Sequence, residues 1–240
     1  MSTTVLDIGQ KLSDDCGLPS YGNLVGNQQQ NARKILRSIS DGLLLDAFID
    51  QDWEMLKKAG SVTTSGGGVT TYALPDDFER IINSTIWDDT NYEPIRGPVD
   101  LVEWQELVKG SVQLSGLELV CRIQGALATN TKVITFYPDT SASTVSFWYV
   151  SNKPVISSNG TLKTEISADT DQFVIPDEVV YAAAKWRLLR SIGMNFQDER
   201  IEYASILDDF SANDGGGKRI SMVPRRHRLT VNTPDRGFGS

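Results

Sequence analysis

The chain holds a single histidine, His227, and two cysteines, Cys16 and Cys121, in 240 residues. That scarcity excludes most nucleophilic and zinc chemistry at once. A Ser-His-Asp or Cys-His mechanism would depend on His227 alone, which lies in the C-terminal stretch with no periodic pattern to hold it against a nucleophile. Four-coordinate zinc needs a ligand cluster that one histidine and two distant thiols do not supply. Two thiols in a chain this long fit a reducing compartment and no disulfide scaffold. No apolar run reaches the roughly 18 residues that span a bilayer, so no membrane partner is expected. The first residues, MSTTVLDIGQKLSDD, lack the basic and apolar regions of a secretory signal. No internal repeat is visible.

Basic charge is scarce except at one place. The net charge is −8. Residues 218–240, KRISMVPRRHRLTVNTPDRGFGS, carry Lys218, Arg219, Arg225, Arg226, Arg228 and Arg236 against one acid, Asp235. This net +5 leaves −13 on residues 1–217. A basic stretch without helical or strand periodicity buries little apolar surface on itself, so residues 215–240 read as a flexible docking arm. Gly215, Gly216 and Gly217 read as its hinge. The acidic remainder is ill-suited to wrapping nucleic acid, which takes clustered Lys and Arg.

What is present is an ordinary globular composition, 40% hydrophobic and 22% charged. Thr4 and Asp7 form a capping box ahead of the stripe Val5, Ile8 and Leu12. Residues 16–27 read as a loop. Ala32, Ile35, Leu36, Ile39 and Leu43 form one helical face, with Arg33, Lys34 and Arg37 off it and an end near Phe48. The period then shortens. Residues 60–73 hold two β-branched clusters around SGGG and read as a hairpin. Residues 81–87 read as a strand and 91–98 as a turn-rich connection. Residues 98–109 read as a short helix with Leu101, Trp104, Leu107 and Val108 on one side. Residues 117–124, 131–137 and 144–150 read as strands, and the polar stretch 151–172 as a long extended loop. Helical period returns at Pro176, with Tyr181, Ala184, Leu188 and Ile192 in one stripe and Val179, Ala182, Trp186 and Leu189 beside it. A last helix spans 198–212. Most of the five tryptophans (53, 87, 104, 148 and 186) are expected in the core. Phe147, Trp148 and Tyr149 are consecutive in a strand, so they cannot all face inward. Trp148 is the candidate for contact with another protein, against the alternative of a strand covered on both faces.

The order helices, strands, helices implies an α+β fold. The segments 1–58 and 174–214 form a helical bundle, 59–173 a β-rich insertion, and 215–240 the extended arm. Neither glycine run is a phosphate loop: 65–68 lacks the following Lys-Ser/Thr, and 215–218 follows a helix where it should open one. The acid pairs Asp76-Asp77, Asp88-Asp89 and Asp208-Asp209 lack calcium-loop spacing. Asn83-Ser84-Thr85 matches a glycosylation sequon inside an expected strand.

The segment NARKILRSISDGLLLDAFIDQDWEMLKKAGSVTTSGGGVTTYALPDDFERI resembles the N-terminal half of tailed-bacteriophage head-to-tail adaptors, including the tail tubular protein A-like family of short-tailed phages. The matching pieces are a helix with an NAR-type start, Trp53, the stretch Tyr72 to Phe78, and Trp87-Asp88. A late segment from Ile175 to Leu189 is similar as well. Together they span most of residues 28–210, the middle β region in pattern only. The resemblance implies a ring of twelve copies beneath the portal, joining the capsid to the tail or nozzle protein. It implies no catalysis and no cofactor, and transient contact with passing double-stranded DNA. It also implies a place in the virion neck after synthesis in the host cytoplasm. A C-terminal extension of such adaptors docks to the portal, which gives Arg219, Arg225, Arg226, Arg228 and Arg236 their target. Rival readings are another neck component (stopper, gatekeeper or tail tube protein), a nucleic-acid-binding protein gripping phosphates with the arm, and a metal-dependent hydrolase built on the acid pairs.

Overall fold

The computed structural model describes residues 3–66, 70–109, 119–126, 131–138 and 142–214. The hinge glycines and the basic arm lie outside the described residues, so the expectations placed on them rest on sequence alone.

The capping box forms as its residues require. The Asp7 N–H donates to Thr4 Oγ1 at 3.2 Å, and the Thr4 N–H donates to Asp7 Oδ2 at 2.9 Å. Helix α1 (Val5–Asp15) then buries Val5, Ile8 and Leu12. Helix α2 (Gln30–Asp41) buries Ala32, Ile35 and Ile39 and widens into a π-helical stretch, Gly42–Ala47, before a last turn, α3 (Phe48–Asp50). The wide stretch brings Gly42 against the backbone of helix α5 (Asp177–Ile192), which packs also on α6 (Gln197–Asn213). Two side chains secure it. Arg187 grips Asp46 with Nε at 2.5 Å and Nη2 at 2.7 Å, and buried Trp53 donates from Nε1 to the Ala47 carbonyl at 2.6 Å. Helix α5 has a wide buried face, as its two stripes require, and stops at Gly193, whose φ of 79° suits glycine.

Between the helices the chain is antiparallel β-sheet. One sheet is built around β8 (Ser143–Ser151), which pairs along its length with β1 (Lys57–Thr64). On its other edge lie β3 (Phe78–Ile81) and β4 (Trp87–Asp88), and β4 pairs on with β5 (Glu93–Pro94). A second sheet has the order β2 (Thr71–Ala73), β7 (Thr131–Tyr137), β6 (Val120–Ala126). Val62, Val145, Phe147 and Tyr149 of the first sheet meet Cys121, Ile134 and Phe136 of the second in one apolar cluster. A third, small sheet of β9 (Val155–Ile156), β10 (Leu162–Lys163) and β11 (Gln172–Phe173) lends Val155 and Phe173 to the helical core. The chain is thus α+β, with one apolar cluster among the helices and another between the sheets.

Five expectations are corrected. The β-branched clusters around SGGG do not form a hairpin: β1 pairs with β8 and β2 with β7, so this link passes between two sheets. β8 offers a register partner to each of the eight residues of β1, where the three residues of β2 could match only three. The expected strand 81–87 is broken at Ser84, whose φ is 63°. The stretch 151–172 carries two short strands and ends at the start of a third. It is organised by fully buried Asp171, which accepts from Lys163 Nζ at 2.8 Å and from the Ser167 and Ala168 N–H groups at 2.8 and 2.9 Å. Two-residue strands show no period, which hides them from pattern reading. The short helix expected over 98–109 begins only at Leu101, as α4 (Leu101–Lys109), and Leu101 and Val102 are exposed. Finally, only Trp53 and Trp186 of the five tryptophans are buried.

Candidate functional site

The outer face of the first sheet follows from the two-residue period of β8. Phe147 and Tyr149 point into the β cluster, while Trp148 turns outward and is 49% exposed. Val150, the next residue on the Trp148 side, is buried among the helices. The outer face is therefore covered at one end by the helical part and open at the other.

A second tryptophan shares the open end. Trp87 of β4 stands opposite Ser146, two residues from Trp148, which makes the two tryptophans diagonal neighbours. Trp87 is 43% exposed. Across β8, Trp148 stands opposite exposed Ala59 of β1. The small side chain leaves the indole standing clear of its row.

The irregular backbone between β3 and β4 holds this geometry. The turn at Ser84 lifts Thr85 so that its hydroxyl stands in for a missing ladder partner. The Trp148 N–H donates to Thr85 Oγ1 at 3.2 Å, and that hydroxyl donates to the Ile82 carbonyl at 2.5 Å. Beyond Trp87, Asp88 closes the β4–β5 turn. Its carboxylate accepts from the Thr90 and Asn91 N–H groups at 2.9 and 3.1 Å and from Asn91 Nδ2 at 2.8 Å. Burial opposes ionisation of Asp88, but these hydrogen bonds outweigh it and hold its pKa below the ordinary value.

Beneath the face, Asp77, in the turn before β3, ties β1 to β8. Its Oδ2 lies 2.6 Å from Lys58 Nζ of β1 and accepts from Ser151 Oγ at 3.0 Å, and its Oδ1 accepts from the Tyr149 hydroxyl at 2.7 Å. Burial would raise this carboxyl, yet the three donors and the Lys58 charge lower it to about 2. The same arrangement raises the Tyr149 hydroxyl above its ordinary value, with burial the larger cause.

No activated nucleophile accompanies this architecture among the described residues. Burial pushes the Cys121 thiol up to about 12 and also raises Cys16. Among the described residues no group of three or more His, Cys, Asp or Glu is placed to hold a metal ion, and no helix is long and apolar enough to cross a membrane. Of the residues singled out in the sequence, Trp148 is on an open surface, while Arg219, Arg225, Arg226, Arg228, Arg236 and the three hinge glycines lie outside the described residues. Trp87 was missed as a surface residue. The signal lay in Asn83-Ser84, two turn-forming residues that reset the strand before it.

No curated protein matches the chain. The pattern that defines the SU10 adaptor protein family matches residues 3–227. The match runs from the capping box through Arg219, Arg225 and Arg226 of the basic stretch. The exposed aromatic sheet face suits contact with another protein. The chain belongs to the SU10 adaptor protein family and is a phage head-to-tail adaptor.

Proposed function

We propose that copies of this chain form a ring of twelve beneath the portal, connecting the capsid to the tail and leaving a channel for DNA. The family match over residues 3–227 carries this reading. The arm supplies the portal contact. Arg225, Arg226 and Arg228 offer planar, charge-assisted hydrogen bonds to portal carboxylates. One arm per subunit makes weak contacts additive around a ring, and Gly215, Gly216 and Gly217 let each arm reach its own site. Removing residues 218–240 is expected to leave a folded body that no longer joins a portal. The mass of the purified chain, alone and mixed with a portal, reads both properties, and a shortened chain that still joins the portal overturns the role of the arm.

The acidic body suits a conduit. Like charge along the wall keeps the duplex from adhering as it passes. The open tryptophan face serves a different contact, to the neighbouring subunit or to the tail-side protein. Half-exposed aromatics beside small residues are common anchors of interfaces. Trp148→Thr keeps strand propensity, so denaturant stability is expected to change by less than about 1 kcal/mol. One of the two associations is expected to weaken about tenfold or more, as hot-spot aromatics do. If ring mass and tail attachment are both unchanged, Trp148 has no part in either interface.

A further inference from the structure

Two grooves of opposite sign lie on the helical part of the subunit. The first, about 740 Å3, runs beside α2 and is lined by Arg33, Lys34 and Arg37. Arg37 reaches Asp41 at 3.4 Å, one turn further along. Arg33 and Lys34 have no acidic partner among the described residues. The second groove, about 850 Å3, lies between the stretch leaving α3 and the last turns of α6. Its two cations are already engaged: Lys57 is 2.5 Å from Glu54, and Arg80 is paired with Asp52. Asp50, Asp208 and Asp214 have no cationic partner among the described residues. Asp50 accepts from the Tyr203 hydroxyl and Asp214 from the Glu54 N–H, but neither donor brings charge. Ile49, which lines the groove and is 58% exposed, gives it an apolar edge.

The two grooves cannot satisfy each other within one chain. Arg33 and Asp50 are about 17 residues apart along a nearly continuous helix, roughly 25 Å at the helical rise, and no arginine side chain spans that. A second copy presents the missing partner. We infer that the basic groove of one copy faces the acidic groove of the next, so that Arg33 and Lys34 meet Asp50, Asp208 and Asp214 around the apolar edge of Ile49. This joins unlike surfaces, the head-to-tail arrangement from which cyclic rings are made. An apolar centre with a charged rim is the usual build of such contacts. The inference rests on the ring reading above and assigns it a surface.

Charge exchange in the full-length chain tests it. One variant carries Arg33→Glu and Lys34→Glu; the other carries Asp208→Lys and Asp214→Lys. All four positions are at least partly exposed, and thermal melting checks that both variants fold. Light scattering across concentration at low salt is expected to show each variant associating with itself about 100-fold more weakly than the native chain, within the range of close charge pairs. Mixed together, the two variants are expected to regain native association to within about tenfold, because each then presents the sign the other needs. Misfolding cannot produce that rescue. Failure of the mixture to associate overturns the pairing. Loss confined to the Asp208 and Asp214 variant overturns it as well, and assigns the acidic groove to the basic arm that follows Asp214. If both variants assemble like the native chain, this interface is discarded while the ring stands. If the native chain stays single even beside a portal, the ring reading falls and the interface with it.

Discussion

Gly42→Ala is expected to destabilise the chain by about 2 kcal/mol, and Gly42→Val by about 3 kcal/mol, in urea unfolding followed by circular dichroism. The sign is informative because helix propensity points the other way. Gly42 has ordinary helical angles, φ −64° and ψ −41°, so alanine there gains about 1 kcal/mol of backbone preference. The packing decides against it. A Cβ on Gly42 would lie 2.8 Å from the Ala184 nitrogen and 3.0 Å from the Ala183 carbonyl carbon, both backbone atoms of α5. Backbone in the middle of a helix cannot yield as a side-chain tip does, so the helices must part. Their separation would disturb the Arg187–Asp46 pair and the Trp53 bond to Ala47 together. A Gly42→Ala chain as stable as the native one would mean that α2 and α5 do not approach this closely.

Asp77→Ala is expected to cost about 3 kcal/mol at neutral pH, because it strands the Lys58 ammonium, the Tyr149 hydroxyl and the Ser151 hydroxyl. Asp77→Asn should fall between the two, since its oxygen still serves Tyr149 while its amide faces Lys58 and Ser151 as a third donor. The acid response distinguishes charge from packing. A carboxyl whose folded pKa lies near 2, against 3.8 when free, contributes stability that is complete above pH 4 and fades as pH falls through 2. The difference is about 2 kcal/mol. Unfolding at pH 6 and pH 2 should therefore show the gap between native and Asp77→Asn chains closing by about that amount. A gap that is the same at both values would show that the carboxylate is not ionised in the fold.

The parts legible in the sequence were those with a long period or a complete local signal. The capping box at Thr4 and Asp7, the stripe from Ala32 to Leu43, and the wide face of α5 each repeat over enough residues for burial to leave a pattern. The run Phe147-Trp148-Tyr149 showed that Trp148 faces away from its two neighbours, because strand side chains alternate; which side is outward came from the fold. What escaped was pairing over distance. Thr63 and Thr71 flank a glycine run that looks like a hairpin, yet each strand finds its partner more than 60 residues away, and nothing local records that choice. The small sheet escaped because its order comes from buried Asp171 and its donors, which read as loop polarity. The two grooves lay in view as Arg33-Lys34 and the acids near residue 50, but ordinary solvated helix surfaces carry the same residues. Only the fold brings Asp208 and Asp214 beside Asp50.

Strand β8 has a mechanical consequence. Tyr149 is anchored in the cluster between the sheets and Val150 in the cluster among the helices, so adjacent residues of one rod are embedded in two separate cores. A load applied at Trp148 passes from one core to the other across a single peptide unit, with no joint between them to take up slack. Displacing this strand therefore strains both clusters at once.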